Sequence, residues 1–409
     1  GSEMCIRDRR CIVLTMSDSF KENDLPNNMS FLCVIGVVDP IRPEVPEAVR
    51  VAHNAGIQVI EITGDCLETA KAVATEAGIY RTGDLAVTND EFEAMTDEKV
   101  REILPKLTVI SRCSPNTKLR LINIAQNTGM SVGVGMSEGN AGMSVAMTGD
   151  GVNDSPALKK ADVGFAMQAG SDVAKEAGDI ILTDNNFASV VKGIELGRTF
   201  MHNIMMFLEF QLPINISLLI MSMLYPVISG GSPFLAAVQI LIINIIMDSL
   251  NSLSFGGEPP KEEYMKEKPL RKGSGLFING AMARILSTTA MFILIFGVII
   301  FGFDNIFTTD VSAMTARFAT LCIMAVFNGF LIRTDSINLF KGIGKNKLFI
   351  YIAIGIFVMT FLLCNVVGSF VQTTVLSLYQ WGIVFGLPFC IVIDILVARL
   401  IEKTMINKK

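Results

Sequence analysis

Six apolar stretches, each long enough to cross a bilayer, fill the second half of this 409-residue chain. They are expected near 205–226, 234–255, 281–303, 312–332, 348–370 and 379–400, and a bilayer takes about 20 residues per helical crossing. Most of the acidic residues lie before about residue 200. A soluble α/β part followed by an all-α bundle of six transmembrane helices is therefore expected, with the membrane domain at 199–409. The net charge of −5 carries no basic excess, which argues against nucleic acid as a partner.

The loops between the apolar stretches alternate in charge. Lys261, Lys266, Lys268, Arg271 and Lys272 fall in one loop, and Arg333, Lys341, Lys345 and Lys347 in another. Lys403, Lys408 and Lys409 follow the last span, while loops near 227–233, 304–311 and 371–378 have no Lys or Arg. The positive-inside rule then puts the soluble part, the basic loops and the C-terminus in the cytoplasm. Residues 1–10 show no periodicity and read as a non-native leader. Cys5, Cys11, Cys33, Cys66, Cys113, Cys322, Cys364 and Cys390 form no CxxC pair, and His53 and His202 are far apart. Free thiols are expected rather than zinc ligands or a disulfide framework.

Polar groups inside the spans are costly in hydrocarbon. Asn215 follows Pro213, whose ring frees a backbone carbonyl and disturbs the helix. In the second span Asn244 and Asp248 stand four apart, on one face of an α-helix. One carboxylate with amide and carbonyl oxygens suits a hard cation such as Ca²⁺; hydrogen bonding between helices is the competing reading. Asp394 and Arg399 read as a snorkelling or mutually paired couple. Glu209, Arg284 and Arg317 read as solvated or interfacial, and Asp304 and Asp310 as an outer, solvated surface.

In the soluble half, 31–38 is a continuous apolar run, the signal of a buried strand. A helix over 44–55, a strand over 57–62 and a helix over 67–77 follow, with further strands near 107–110, 143–147, 162–166 and 179–182. Alternating strands and helices predict a parallel, doubly wound sheet, with functional groups at the carboxyl ends of strands. Thr63-Gly64-Asp65 and Thr148-Gly149-Asp150 both fall there. The second continues to Asp154, and two carboxylates around a glycine turn suit Mg²⁺ beside a phosphoryl group. Lys118 can set a positive charge against the same phosphate, although alone it reads more readily as a solvated helix residue.

Together, TGD (63–65), RCSPNTK (112–118) and TGDGVND (148–154) resemble the second half of the phosphorylation domain of P-type ATPases, a haloacid dehalogenase-like, Rossmannoid fold. DPIRPEVPEAV (39–49), DVAKEAGDIILTDNNFASVVKGIELGR (172–198) and IINIIMDSL (242–250) followed by EPP (258–260) extend the likeness. It is nearest to calcium pumps of plasma-membrane type and their bacterial relatives. The resemblance implies a C-terminal part: 11–30 as the tail of a nucleotide-binding domain, 31–198 as a partial phosphorylation domain, then the membrane domain. It implies that Thr63, Gly64 and Asp65 surround the phosphoryl group and, with Arg112, the phosphates of ATP. Lys118 would neutralise the phosphoryl group, Asp150 would bind Mg²⁺, and Asn153 and Asp154 would complete the site. Asn215, Asn244 and Asp248 would hold Ca²⁺. Leu218 and Ala325 stand where reticulum-type pumps carry glutamates, and Met247 precedes Asp248 as in plasma-membrane-type pumps, implying one Ca²⁺ per cycle.

Departures from the family pattern are large. The DKTGT segment with the phosphorylated aspartate, most of the nucleotide-binding domain, the TGE-bearing actuator and the first four membrane helices have no counterpart here. The chain alone is therefore expected to be inactive, its partners being the lipid bilayer, Ca²⁺, ATP and the missing N-terminal half. Gly129-Met-Ser-Val132 recurs as Gly142-Met-Ser-Val145, an insertion within 129–147. Either copy could be the strand; the one adjoining TGD keeps the join to the motif. Alternatives are a split or degenerate subunit that regulates a partner pump, and transport of another divalent cation such as Mn²⁺. A membrane-tethered phosphatase would need an early Asp-x-Asp or DKT-like nucleophile, and Asp39-Pro has the wrong neighbours.

Overall fold

The computed structural model describes residues 10–17, 29–37, 40–127, 142–270, 280–303, 305–334, 336 and 338–406. The leader expected at 1–10, apart from Arg10, and most of the 129–147 insertion lie outside them. So do Asp39, Arg271, Lys272, Asp304, Lys408 and Lys409, and the side chains of Lys403, Asp394 and Arg399. The chain divides into two units, Gly1–Leu196 with Glu262–Ser274, and Gly197–Lys261 with Gly275–Lys409.

The first unit opens with an antiparallel ribbon, β1 (Arg10–Met16) and β2 (Ser30–Val37). Here the structure corrects the expected buried strand: Phe31 is 64% exposed, and Leu32, Val34 and Ile35 are exposed with it. An apolar run with no alternation needs a covering layer on both faces, and none of the described residues supplies either.

The α/β part follows in order: α1 (Val45–Asn54), β3 (Glu61–Ile62), α2 (Leu67–Glu76), β4 (Leu85–Thr88), α3 (Asn89–Ala94), α4 (Asp97–Ile103), β5 (Leu107–Ser111), α5 (Pro115–Asn127), β6 (Ala146–Gly149), α6 (Ser155–Lys160), β7 (Val163–Met167), α7 (Asp172–Ala177) and β8 (Ile180–Leu182). A long helix, α8 (Phe187–Ser229), comes next, its start through Leu196 belonging to this unit. Gly56 ends the turn after α1 at φ +73°, a left-handed geometry that an L side chain adopts only at a cost.

All the pairings among β3 to β8 are parallel, as expected. They form two three-stranded sheets rather than one, ordered β3-β5-β4 and β6-β7-β8. β3 and β6 each sit at a sheet edge. β5 is buried throughout and lies where a strand is expected, near 107–110. β6 starts three residues later than expected.

α5 is the element the two sheets share. Leu121, Ile124 and Ala125 join the core of β4 and β5 with Val87, Phe92, Leu107 and Ile110. Ile122, on another face, joins Met147, Ala157, Leu158 and Ala174 around β6 and α6. Gln126 Nε2 donates to the Lys160 carbonyl at 3.0 Å, and Asp162 Oδ2 accepts from the Val145 N–H at 2.9 Å. Burying one such aliphatic side chain contributes about 1.5–3 kcal/mol.

The second unit is helical: the rest of α8, then α9 (Ala237–Ile242), a π-turn at Ile243–Met247, α10 (Asp248–Gly256), α11 (Ala281–Gly302), α12 (Asp310–Ile332), α13 (Lys347–Asn365), α14 (Gly368–Val371) and α15 (Leu378–Ile406). Five stretches are long and apolar enough to cross a membrane: Phe187–Ser229, Ala237–Gly256, Ala281–Gly302, Asp310–Ile332 and Lys347–Asn365. The last helix has a shorter apolar part, Leu378–Ile393, among the residues searched. The 43-residue α8 runs far beyond 205–226 and holds Pro213 and Pro226 without ending. In α12, 83% of the apolar window is buried, against 33–39% in the other four, so α12 is the centre of the bundle.

Two arginines expected in polar surroundings are buried. Arg317, on α12, is 3% exposed. Its guanidinium carbon lies 4.2 Å from the Tyr225 ring centroid and 5.5 Å from that of Phe234. Cation–π stacking on two rings replaces part of the lost hydration. Arg333, expected as a loop cation, is also 3% exposed. Its Nη1 lies 3.5 Å from Glu258 Oε1, and its Nη2 donates to the carbonyls of Leu339 and Lys341. Asn346, which caps α13, donates from Nδ2 to Glu258 Oε1 and to the Ser254 carbonyl, both at 2.9 Å. Glu209 and Arg284 form a bidentate pair rather than standing solvated singly.

Glu258→Gln or Arg333→Met alone strands a buried charge. Either should lower stability by about 3–5 kcal/mol in thermal unfolding of the detergent-solubilised chain, while joint replacement by apolar side chains of similar volume should recover most of it. A single variant as stable as the native chain would contradict this assignment.

Candidate functional site

β3 delivers Thr63, Gly64 and Asp65 just past its end. The Thr63 N–H donates to the Ile110 carbonyl at 3.0 Å, and the Thr63 carbonyl accepts from the Cys113 N–H at 3.0 Å. The Asp65 carbonyl accepts from the Arg112 N–H at 3.1 Å. These bonds lay the turn after β3 against the turn after β5, where Arg112 adopts φ +51°. Inside the first turn the Asp65 N–H donates to Thr63 Oγ1 at 3.2 Å. Gly64 and Arg112 are exposed.

β6 delivers the second turn. Asp150 follows it, and its carbonyl accepts from the Ser171 N–H at 2.8 Å. A short 3-10 turn at Val152–Asp154 leads into α6. Asp154 is buried, and its Oδ2 accepts from the Gly151 N–H at 3.2 Å. Its Oδ1 accepts from Lys118 Nζ at 2.6 Å. A Cβ on Gly149 would stand 2.6 Å from the Asp154 Cβ, so glycine there is what lets Asp154 fold back over the strand end. Asn153 and Asp150 are exposed. Lys118 rises from the first turn of α5, so one short ion pair joins RCSPNTK to TGDGVND across the two sheets.

Among the described residues no three His, Cys, Asp or Glu side chains cluster as metal ligands. Mg²⁺ does not ask for such a cage: it takes one or two carboxylates with phosphate oxygens and water. Asp150 makes no side-chain hydrogen bond or ion pair among the described residues. With Asp154 four residues on, the donor set fits Mg²⁺. At Cys113, between the turns, burial pushes the thiol up to about 11, which keeps it protonated at neutral pH.

Residues that sequence reasoning missed surround Lys118. Asn89, at the start of α3, binds the first turn of α5 through Ser114 and Thr117. Glu93 Oε1 accepts from Thr117 Oγ1 at 2.7 Å. β4 and α3 escaped notice because Leu85–Thr88 is only four residues long and half exposed. The capping box Thr88-Asn-Asp-Glu91 was the signal available.

Glu61 was missed as well. It lies on β3, and its Oε2 is buried with no hydrogen-bond partner among the described residues. Burial, reinforced by the negative charge of Asp65, pushes its carboxyl up to about 7.

In the membrane unit Asn215 is half-buried in α8 and Asn244 is exposed. The side chain of Asp248 lies outside the described ones. Asn244 sits inside the π-turn that ends just before Asp248. Hydrogen bonds there close over five residues rather than four, so the segment leading to Asp248 is a π-turn and not the regular α-helix expected. No described hydrogen bond links Asn215 with Asn244.

Two kinds of domain match this chain. Residues 18–162 and 138–194 match haloacid dehalogenase-like hydrolases, and residues 232–401 match the C-terminal domain of cation-transporting ATPases. The chain thus combines a haloacid dehalogenase-like domain with the C-terminal domain of cation-transporting ATPases, the pairing found in P-type ATPases, and the relatives it matches are calcium-transporting by name. Calcium-transporting ATPase 2 of Schizosaccharomyces pombe is 40% identical over 345 residues, covering 82% of this chain and 26% of the relative. Plasma membrane calcium-transporting ATPase 4 of Homo sapiens is 37% identical over 385 residues, 88% of this chain and 30% of the relative. The putative calcium-transporting ATPase 11, plasma membrane-type, of Arabidopsis thaliana is 35% identical over 91% of this chain and 36% of its own length. The chain therefore spans about a third or less of the length of these relatives.

Glu61 yields a pH dependence. Its folded value lies above the ordinary 4.5, so its contribution is full below about 4.5 and is lost as pH rises through about 7. Thermal unfolding of the soluble unit within the whole chain should show about 1–2 kcal/mol less stability at pH 8 than at pH 5.5, a figure already reduced for the partial exposure of Glu61. Glu61→Gln should flatten that slope; an unchanged slope would refute the assignment.

Proposed function

We propose that this chain is the phosphoryl-handling and membrane part of an ATP-driven Ca²⁺ pump that exports cytosolic Ca²⁺, its soluble unit and C-terminus facing the cytoplasm. The observation that carries the reading is the Lys118–Asp154 pair of 2.6 Å, set between the Thr63–Asp65 turn and the Asp150 turn. Phosphoryl transfer asks a protein mainly for positioning and charge around a nucleophile. Thr63, Gly64 and Asp65 bind the transferred phosphoryl group and, with Arg112, the phosphates of ATP. Lys118 neutralises phosphoryl charge. Asp150 and Asp154 hold Mg²⁺, with Asn153 closing the turn. When bound, the ion draws off charge from the phosphoryl oxygens and orients them.

The nucleophilic aspartate would come from a segment outside this sequence. β3 and β6 each have an edge with no described strand paired to it, which favours a strand seated between the two sheets that would bring its end beside both turns. That missing half is the chain's partner in the complete pump. Domain limits of 11–30, 31–198 and 199–409 go with this reading.

For the membrane part, Asn215, Asn244 and Asp248 supply oxygen ligands to one Ca²⁺. Leu218 and Ala325, at the positions where a second set of carboxylates would be needed, are buried and apolar, which supports a single site.

With ATP and Mg²⁺ this chain alone should form no acid-stable phosphoenzyme; one that forms would refute the reading of the soluble unit. In a full-length pump containing this sequence, Asp248→Asn should cut Ca²⁺ uptake about tenfold or more. Transport should run at one Ca²⁺ per ATP. Unchanged uptake in Asp248→Asn, or a ratio near two, would overturn the membrane assignment.

A further inference from the structure

We propose that Asn89 is the positioning residue for Lys118, fixing the first turn of α5 so that the ammonium group reaches Asp154. The consequence for phosphoryl handling rests on the reading above; the positioning itself does not. Asn89 lies 25 and 28 residues before its two partners. Its Oδ1 accepts from the Ser114 N–H at 3.1 Å and from Thr117 Oγ1 at 2.6 Å. No sheet or helix ladder serves that N–H, because the first amides of a helix and its cap have no acceptor within the helix.

The hydrogens can be accounted for. The Thr117 N–H donates to Ser114 Oγ at 3.2 Å, the ordinary cap of α5. The Ser114 hydroxyl, 2.8 Å from Thr117 Oγ1, donates to it. The single hydroxyl hydrogen of Thr117 is then shared between Asn89 Oδ1 and Glu93 Oε1, both within 2.7 Å. Thr117 is wholly buried, so no water replaces a lost acceptor cheaply.

A second clamp holds the same face of the helix one turn on. Arg120 donates from Nη1 to the Phe92 carbonyl at 3.0 Å and from Nη2 to the Met95 carbonyl at 2.6 Å. It also pairs with Asp97 at 2.8 Å. Thr117 and Arg120 are three apart and share one face, turned to α3 and its following loop. Lys118 follows Thr117 immediately, about 100° around the helix, and is turned to Asp154. The rotation of α5 that Asn89 sets at Thr117 is therefore the rotation that aims Lys118. The carbonyl of Asn89 is the acceptor this needs; among the described residues its Nδ2 has only a weak 3.4 Å contact with Asp90.

The test is competitive reductive methylation of the whole purified chain, with the rate at each lysine read by mass spectrometry against pH. Lys106 and Lys159, both exposed, serve as references in the same unit. Asn89→Ala should raise the rate at Lys118 about fivefold and leave the references unchanged. Asn89→Asp, which keeps an acceptor oxygen in place, should stay near the native rate. An unchanged Lys118 rate in Asn89→Ala would overturn the proposal, and so would an equal rise at all three lysines, which is general loosening. Inorganic phosphate with Mg²⁺ added to the native chain separates the two readings. Failure to protect Lys118 counts against its phosphoryl role and leaves the effect of Asn89 on its aim standing.

Discussion

A single ammonium–carboxylate contact, Lys118 with Asp154, bridges two half-sheets between which no described strands pair. Lys118 belongs to the helix that covers β5, and Asp154 to the turn that leaves β6. Both side chains are largely buried, where a charge is tolerated only with a partner. Each sheet therefore supplies the neutralising group for the other. The apolar side of the same junction is Ile122 on Met147, Ala157 and Leu158. Burial brings the two halves together, and the ion pair fixes their register at the end where both glycine turns open.

The membrane unit follows the same rule with other means. Its central helix, α12, carries Arg317 against two aromatic faces, and Arg333, one residue past its end, against Glu258. Each buried cation joins chain segments that lie far apart in sequence. Glu258, Arg333 and Asn346 tie the loop after α10, the end of α12 and the cap of α13 into one knot. α10 also carries Asp248 at its start, so the segment with the candidate cation ligands is anchored at its other end by that knot.

Much of this was legible in the sequence. Apolar runs of 20 residues announce membrane helices, and glycine–aspartate turns after apolar strands mark the candidate site because phosphoryl chemistry needs backbone at close range. The sequence misleads where a signal depends on what covers it. The run at 31–38 reads as buried, yet among the described residues nothing covers either face of β2. A lysine or arginine in a loop reads as solvated, yet Arg333 is buried because a glutamate 75 residues earlier meets it. The stretch leading to Asp248 reads as regular α-helix, yet it takes a π-turn at Ile243–Met247. Asn89 could not be singled out at all, since its partners lie 25 and 28 residues ahead and meet it only when β4 pairs with β5.

The account turns on the coupling between the two half-sheets at Lys118 and Asp154. A double-mutant cycle with Lys118→Met and Asp154→Asn, followed by thermal unfolding of the soluble unit within the whole chain, measures it. An interaction energy above about 1 kcal/mol is the outcome the account requires. Additive effects, with an interaction near zero, would show that the two turns do not depend on each other, and the central claim would fail.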